Sequence, residues 1–279
     1  MVASSPSDKQ RRVVLITGAS SGIGKACAEH LAARGYRVFG AQRHAVGDHT
    51  RAGDVEYLTM DVDDDDSVNR TIRIVLEKAD RLDAVVNNAG FALMGSVEDT
   101  SIEEAKAQME TNFFGVLRVC RAALPIMREQ GRGHIINISS LAGVLGLPFN
   151  GLYSASKFAL EGMTESLRLE VRRFGVSVVL IEPGDFRTQL PAKRRIASAS
   201  ETNDAYREAF TRFKASQDKD ESKAPTPEPV AHLVERVLRS DAPSARYSIG
   251  MLGQRIVVPL KRLLPQRVFE WALSKALGL

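Results

Sequence analysis

Six short apolar runs recur along the chain, each ending in small or polar residues: "RVVLITG", "YRVFGAQ", "VEYLTMD", "DAVVNNAG", "HIINISS" and "VSVVLIEPG". Between them lie stretches of helical character. Examples are "KACAEHLAARG" and "EEAKAQMETNFFGVLRVCRAALPIMREQG", the second ending on Gly131 as helices often do. Strand and helix in regular alternation predict an α/β fold with a doubly wound parallel sheet, covered by helices on both faces. Ligands of such sheets bind outside the carboxyl ends of the strands, so the polar residues that end the runs face one crevice.

A length of 279 residues with 44% hydrophobic and 26% charged side chains fits one domain over residues 12–279, preceded by a flexible tail at 1–11. From about Pro191 to Ala224 the alternation breaks into a polar, charged stretch with little periodicity. It is expected to be a mobile surface insertion over the crevice, a substrate loop or lid. The prolines of "PTPEPVAHLVERVLRS" then introduce another helix.

The formal charge of +4 comes from scattered Lys and Arg with no basic cluster interleaved with aromatics, which argues against nucleic acid as a partner. Cys27 and Cys120 are far apart and suit a reducing compartment. The five histidines lack ligand spacing, and His44 and His49 around Asp48 do not make a metal site; no metal is expected. The start "MVASSPSDKQRR" has no apolar core, and no run approaches the roughly 20 apolar residues that span a bilayer. A soluble, cytoplasmic protein is the expectation.

"VVLITGASSGIGKACAEHLAARG" reads as strand, glycine loop, helix. Gly18, Gly22 and Gly24 let the turn close and let backbone amides and the helix N-terminus approach a pyrophosphate. The second strand ends in "AQRH", with Gln42 and Arg43 and no carboxylate. An acidic residue there would hold the ribose hydroxyl of NAD, whereas an arginine suits the 2′-phosphate of NADP, so NADP(H) is favoured over NAD(H). Ser21 stands just before Gly22, where a second basic residue is usual. Asp61, after the third strand, is placed to hydrogen-bond the adenine, while Asp63 to Asp66 are better read as a helix start.

The stretch "YSASK" puts Tyr153 and Lys157 one helical turn apart on one face. A phenol has a pKa of about 10, and bringing it to neutrality takes roughly 4 kcal/mol of preferential stabilisation of the phenolate. Lys157 and the positive ring of an oxidised nicotinamide can supply that. Tyr153 then serves as general acid toward a carbonyl oxygen or general base toward an alcohol, with hydride exchanged at carbon. Ser140, at the end of "HIINISS", would donate to the same oxygen. Asn112, an amide in an otherwise apolar helix, needs a partner, and a water relaying protons to Lys157 would provide one.

Taken together, "TGASSGIG", "NNAG" (Asn87 to Gly90), Asn112, "ISS", "YSASK" and "PGDFRT" (Pro183 to Thr188) resemble the short-chain dehydrogenase/reductase family. The likeness is strong over residues 12–190 and looser beyond. It implies a single Rossmann-type domain, an Asn112, Ser140, Tyr153, Lys157 tetrad, and a homodimer or homotetramer. It also implies cofactor contacts from Ser20, Ser21 and Ile23, from Val62 beside Asp61, from Asn88, Ala89 and Gly90, and from Pro183, Gly184 and Thr188, with Tyr153 and Lys157 completing the set.

A narrower likeness, carried by "GLPFNGLYSASKFALEGMTESLRLEVRRFGV", is to the 17β-hydroxysteroid and retinol dehydrogenase branch, whose substrates are bulky and apolar. Leu93, Met94, Leu141 and Leu145 would line such a pocket, joined by Leu147, Phe149, Phe186 and Leu190. The expected activity is interconversion of a ketone or aldehyde with an alcohol. Three alternatives stand beside it: a 3-oxoacyl-type reductase, an NADPH-binding sensor without turnover, and sugar-nucleotide chemistry, whose different glycine loop and larger C-terminal domain are missing. The extension 251–279 is apolar and basic, with Trp271 near its end. Three roles are open to it: capping the pocket, packing on a partner subunit, and touching a membrane surface.

Overall fold

The computed structural model describes residues 11–44, 50–52, 54–188 and 194–277. Its centre is a sheet of strands β1 (Val13–Thr17), β2 (Arg37–Gln42), β3 (Thr50–Ala52), β4 (Val55–Thr59), β5 (Ala84–Asn87), β7 (Gly133–Ile138), β8 (Val176–Pro183) and β10 (Arg246–Ile249). Its order is β10-β8-β7-β5-β1-β2-β4-β3. All neighbours pair in parallel except β3, which runs antiparallel along β4 at one edge. The chain starts in the middle, winds outward to β4, then returns past β1 to β5. The strand order therefore reverses between β1 and β5, where a doubly wound sheet opens a crevice.

The central strands are apolar throughout because both faces are covered; β1 is buried at all five residues. Helices α2 (Asp65–Ala79), α4 (Gly115–Gln130) and α5 (Gly151–Val171) pack on one face with Ile72, Val119, Leu160 and Leu167. On the other, α1 (Gly22–Ala33) and the helix at Glu228–Arg239 contribute Cys27, Leu31, Val234 and Leu238. Helix α2 is capped by Asp64, whose carboxylate accepts from the Ser67 amide, so the acidic run does start a helix. Gly131 ends α4 in the left-handed conformation, as read from the sequence.

Two segments depart from the sequence reading. The stretch expected as one long helix is α3 (Ile102–Met109), a π turn over Glu110–Phe114, then α4. Asn112 lies in that turn. The charged stretch expected to be aperiodic contains a 20-residue helix, α6 (Asp204–Lys223), after the short strand β9 (Arg195–Ile196), which pairs with β6 (Leu93–Met94). Its apolar signal is faint because only Phe210 and Phe213 are buried, one turn apart, against Met94 and Phe149. Good helix formers and short-range pairs such as Arg212 with Glu208 carry the rest. The helix at 228–239 follows as α7, and the extension forms two more, α8 (Leu252–Leu263) and α9 (Gln266–Ala276).

Candidate active site

At the switch point Thr17 ends β1, and its hydroxyl accepts from the amides of both Asn88 and Ala89 at 3.0 Å. The Asn88 side chain donates back to the carbonyls of Thr17 and Gly18. These bonds tie the glycine loop to the segment after β5. Gly18 and Gly22 have φ of 66° and 56°, and a Cβ on Gly18 would lie 2.9 Å from the Ala89 Cα. Gly24 is inward, against the Asn88 amide and the Gly18 carbonyl, so it serves close packing and does not line the crevice.

A cavity of about 660 Å³ runs from this loop to the far ends of β7 and β8. Of the residues expected at the cofactor, it is lined by Gly18, Ser20, Ser21, Gly22 and Ile23 of the loop, Arg43, Asp61 and Val62 at the ends of β2 and β4, Asn88, Ala89 and Gly90, and Pro183, Gly184 and Thr188. Gln42, His44 and Asp63 join them. One Asp61 carboxylate oxygen already accepts from the Asp63 amide at 3.1 Å. Asp48 and His49 lie outside the described residues.

Asn112, Ser140, Tyr153 and Lys157 all line the cavity. Ser140 follows β7; its hydroxyl accepts from the Ala142 amide at 3.1 Å and lies near enough to the Tyr153 phenol to favour its ionised form. Lys157 is buried on α5. It donates to the Ile138 carbonyl at 2.8 Å, and its nitrogen is 5.9 Å from the centre of the Tyr153 ring. Burial pushes this ammonium down from 10.5 to about 8, with Glu161 pulling the other way.

The Tyr153 phenol is shifted opposite to the sequence expectation. Burial raises it, the Ser140 hydroxyl opposes, and the carboxylates of Asp185 and Glu221 raise it further. The protein's own groups therefore keep the phenol protonated.

The Asn112 side chain is engaged elsewhere than in the expected relay. Its oxygen accepts from the Phe91 amide at 3.1 Å, and its nitrogen donates to the Phe91 carbonyl at 3.0 Å and to Ser156 Oγ at 3.1 Å. A Cβ on Gly90 would lie 2.9 Å from Asn112 Oδ1, so a glycine is required where the amide clasps this loop.

The expected substrate pocket divides. Met94, Leu147 and Phe186 line the cavity. Leu93, Leu141, Leu145 and Phe149 do not: the three leucines are buried in the protein, and the Phe149 ring stacks on Phe210 and Phe213 at 5.6 and 5.5 Å. Leu190 lies outside the described residues. Charged and polar groups that the sequence did not single out share this end: Asp185, Arg194, Arg195, Gln217 and Glu221. Arg194 pairs with Glu221 and, at 2.8 Å, with Asp218; Arg195 stacks 4.1 Å over the Phe91 ring. Glu221 Oε2 is buried and has no hydrogen-bond partner among the described residues. Asp185 sits inside the quoted PGDFRT motif, while the only sequence signal for Arg194, Arg195 and Glu221 was their charge in a stretch without visible periodicity.

A doubly wound sheet with a glycine loop at its switch point opens here on Ser140, Tyr153 and Lys157, an arrangement with the chemistry to hold a nucleotide and transfer a proton. The short chain dehydrogenase family model matches residues 12–199. The chain belongs to that family of oxidoreductases. It is 39% identical over 264 residues to a 3-ketodihydrosphingosine reductase of Bacteroides thetaiotaomicron, covering 95% of this chain and 97% of the relative. Bovine retinol dehydrogenase 8 is 34% identical, over 84% of this chain and 80% of its own.

The crystal structure of a short-chain dehydrogenase from Streptomyces avermitilis superposes with a TM-score of 0.77 at 32% identity, covering 95% of this chain and 97% of that one. Nicotinamide cofactors occur in both forms among the neighbours. A metagenomic oxidoreductase holds NADP (28% identity, TM-score 0.67, 87% and 98% covered), and a Burkholderia phymatum enzyme holds NAD (26%, 0.72, 88% and 90%). No described helix is long and apolar enough to cross a membrane.

Proposed function

We propose that the protein is an NADP(H)-dependent reductase of a bulky ketone whose chain is apolar and whose carbonyl lies beside a polar head. The observation that carries this reading is the continuity of one cavity from the glycine loop, past Tyr153, to a mixed wall of Met94, Leu147 and Phe186 with Asp185, Arg194 and Glu221. The positive-φ turns at Gly18 and Gly22 close the loop tightly at the N-terminus of α1, where backbone amides suit a dinucleotide pyrophosphate. Arg43 would take a 2′-phosphate, Asp61 and Val62 the adenine, and Asn88 to Gly90, Pro183, Gly184 and Thr188 the nicotinamide half.

When bound, the nicotinamide exchanges hydride with the substrate carbon. Ser140 donates to the carbonyl oxygen and fixes it against Tyr153, which gives that oxygen its proton. A phenol held protonated by burial and by two nearby carboxylates is in the acid form that reduction requires. Lys157, near 8, can return a proton to the phenol close to neutral pH. Asn112 acts by positioning, because it holds the Gly90–Phe91 turn that shapes the cavity.

The 3-ketodihydrosphingosine reductase relative, matched over nearly its whole length, supports a sphingoid ketone, in which an amine and a hydroxyl stand beside the carbonyl on a long apolar chain. The test is loss of NADPH absorbance, with NADH in parallel, over 3-ketodihydrosphingosine, steroid and retinoid carbonyls, acetoacetyl esters and small aldehydes. Turnover of the sphingoid ketone with NADPH is expected, lost about 1,000-fold in Tyr153→Phe with NADPH affinity nearly unchanged. Turnover of only small or acyl substrates overturns the substrate class, and an active Tyr153→Phe overturns the mechanism.

A further inference from the structure

The two C-terminal helices present an apolar face that the described fold leaves uncovered. Helix α8 turns Gln254, Val257 and Val258 toward the body, where Gln254 clasps Asp185 through both its amide atoms at 2.5 and 3.1 Å. On the opposite side Leu252, Ile256, Leu260 and Leu263 follow at spacings of four, four and three, a single stripe along the helix. Leu252 is 76% and Leu263 78% exposed. Helix α9 buries Phe269 and turns Val268 and Trp271 outward, Trp271 being 65% exposed. Stripes of this size on water-facing helices mark a docking surface.

Charge indicates what docks. Residues 252–277 carry Arg255, Lys261, Arg262, Arg267 and Lys275 against Glu270 alone. That surplus of four positive charges equals the formal net charge of the whole 279-residue chain. An apolar stripe on a segment with a cationic surplus, with an exposed tryptophan and helices too short and polar to span, is complementary to an anionic bilayer surface.

We infer that α8 and α9 dock the protein on anionic lipid bilayers beside the mouth of its substrate cavity. The placement follows from two contacts. Gln254 holds Asp185, which lines the cavity, and Lys261 donates to the Val144 carbonyl at 2.8 Å, in the loop that follows Ser140. A lipid-like ketone could then pass from bilayer to Tyr153 without crossing bulk water. That consequence rests on the proposed function; the docking itself does not.

The test is co-sedimentation of the full chain with phosphatidylcholine vesicles, with and without 30% phosphatidylglycerol. Binding at least tenfold stronger to the anionic vesicles is expected, weakened at 0.5 M NaCl by screening. The double variant Ile256→Asp, Trp271→Asp should lose at least tenfold of that binding yet keep turnover of a water-soluble ketone. Wild-type protein that ignores both vesicle types at low salt overturns the inference, as does a double variant that binds like wild type. A wild-type dimer that the double variant converts to monomer, with no vesicle binding, assigns the face to a second copy instead. If no ketone is reduced, the reductase reading fails while the binding result stands.

Discussion

The Lys157 ammonium donates to the carbonyl of Ile138 at 2.8 Å, so the cation beside the Tyr153 phenol is fixed by the end of a sheet strand. Burial holds its pKa at about 8 rather than 10.5. Between those values the unfolded chain binds the proton and the native protein does not, so this group makes native stability rise with pH across that window. The full effect is about 3 kcal/mol. Urea unfolding of wild type and Lys157→Met at pH 7.5 and pH 10 should show the difference moving toward wild type as pH rises, since groups common to both cancel. A gap independent of pH would refute the burial argument. Turnover of the variant should fall about 100-fold or more at either pH.

Arg43 lines the cavity just after β2, which ends in Gln42 and not a carboxylate, and its charge acts on the Asp63 carboxylate across the crevice. A guanidinium paired with a 2′-phosphate makes charge-assisted hydrogen bonds of about 1.5–3 kcal/mol. Arg43→Ala should therefore raise KM for NADPH about 10- to 100-fold and leave KM for NADH within about threefold. Steady-state kinetics with each cofactor decide it, and equal losses would remove the assignment.

Glu221 pairs with Arg194 through one oxygen and leaves Oε2 buried without a described partner, in the same cavity as Tyr153. A substrate amine placed there would complete it. Glu221→Gln should raise KM for 3-ketodihydrosphingosine roughly 10- to 100-fold and hardly change it for a ketone of equal length without the amine. Because the carboxylate also raises the phenol, the alkaline limb of the pH–rate profile should move to lower pH. An unchanged profile with equal losses on both ketones would leave Glu221 a purely structural role.

The parts of this architecture set by local pattern could be read in the sequence. Apolar runs gave the strands, Gly18 and Gly22 the tight turn, and the four-residue step from Tyr153 to Lys157 their common face. What escaped depended on long-range packing. The π turn at Asn112 shows no composition of its own, and the partner of that amide is a backbone segment 21 residues earlier. Helix α6 hides two aromatic anchors among charges, and its Glu221 reaches the cavity only because Phe210 and Phe213 seat the helix on Met94 and Phe149. Leu93, Leu141, Leu145 and Phe149 were apolar near the site, but hydropathy does not tell a pocket wall from the core behind it.

Arg246, on the edge strand β10, gathers three carboxylates: Glu161 at 2.8 Å, Glu165 at 2.7 Å, and Glu182, which has no exposed surface. Ser248 also donates to Glu182, at 2.6 Å. Removing the cation leaves buried negative charge uncompensated, which typically costs about 3–5 kcal/mol. Arg246→Met should accordingly lower Tm by roughly 6–20 °C at pH 8, at 2–4 °C per kcal/mol. Burial already raises the Glu161 carboxyl, and loss of the guanidinium raises it further. A native carboxyl that binds its proton more readily than the unfolded one gains stability as pH falls. The Tm gap between wild type and variant should therefore narrow from pH 8 to pH 5, and thermal melts showing a constant or wider gap would exclude Glu161 as the site of the strain.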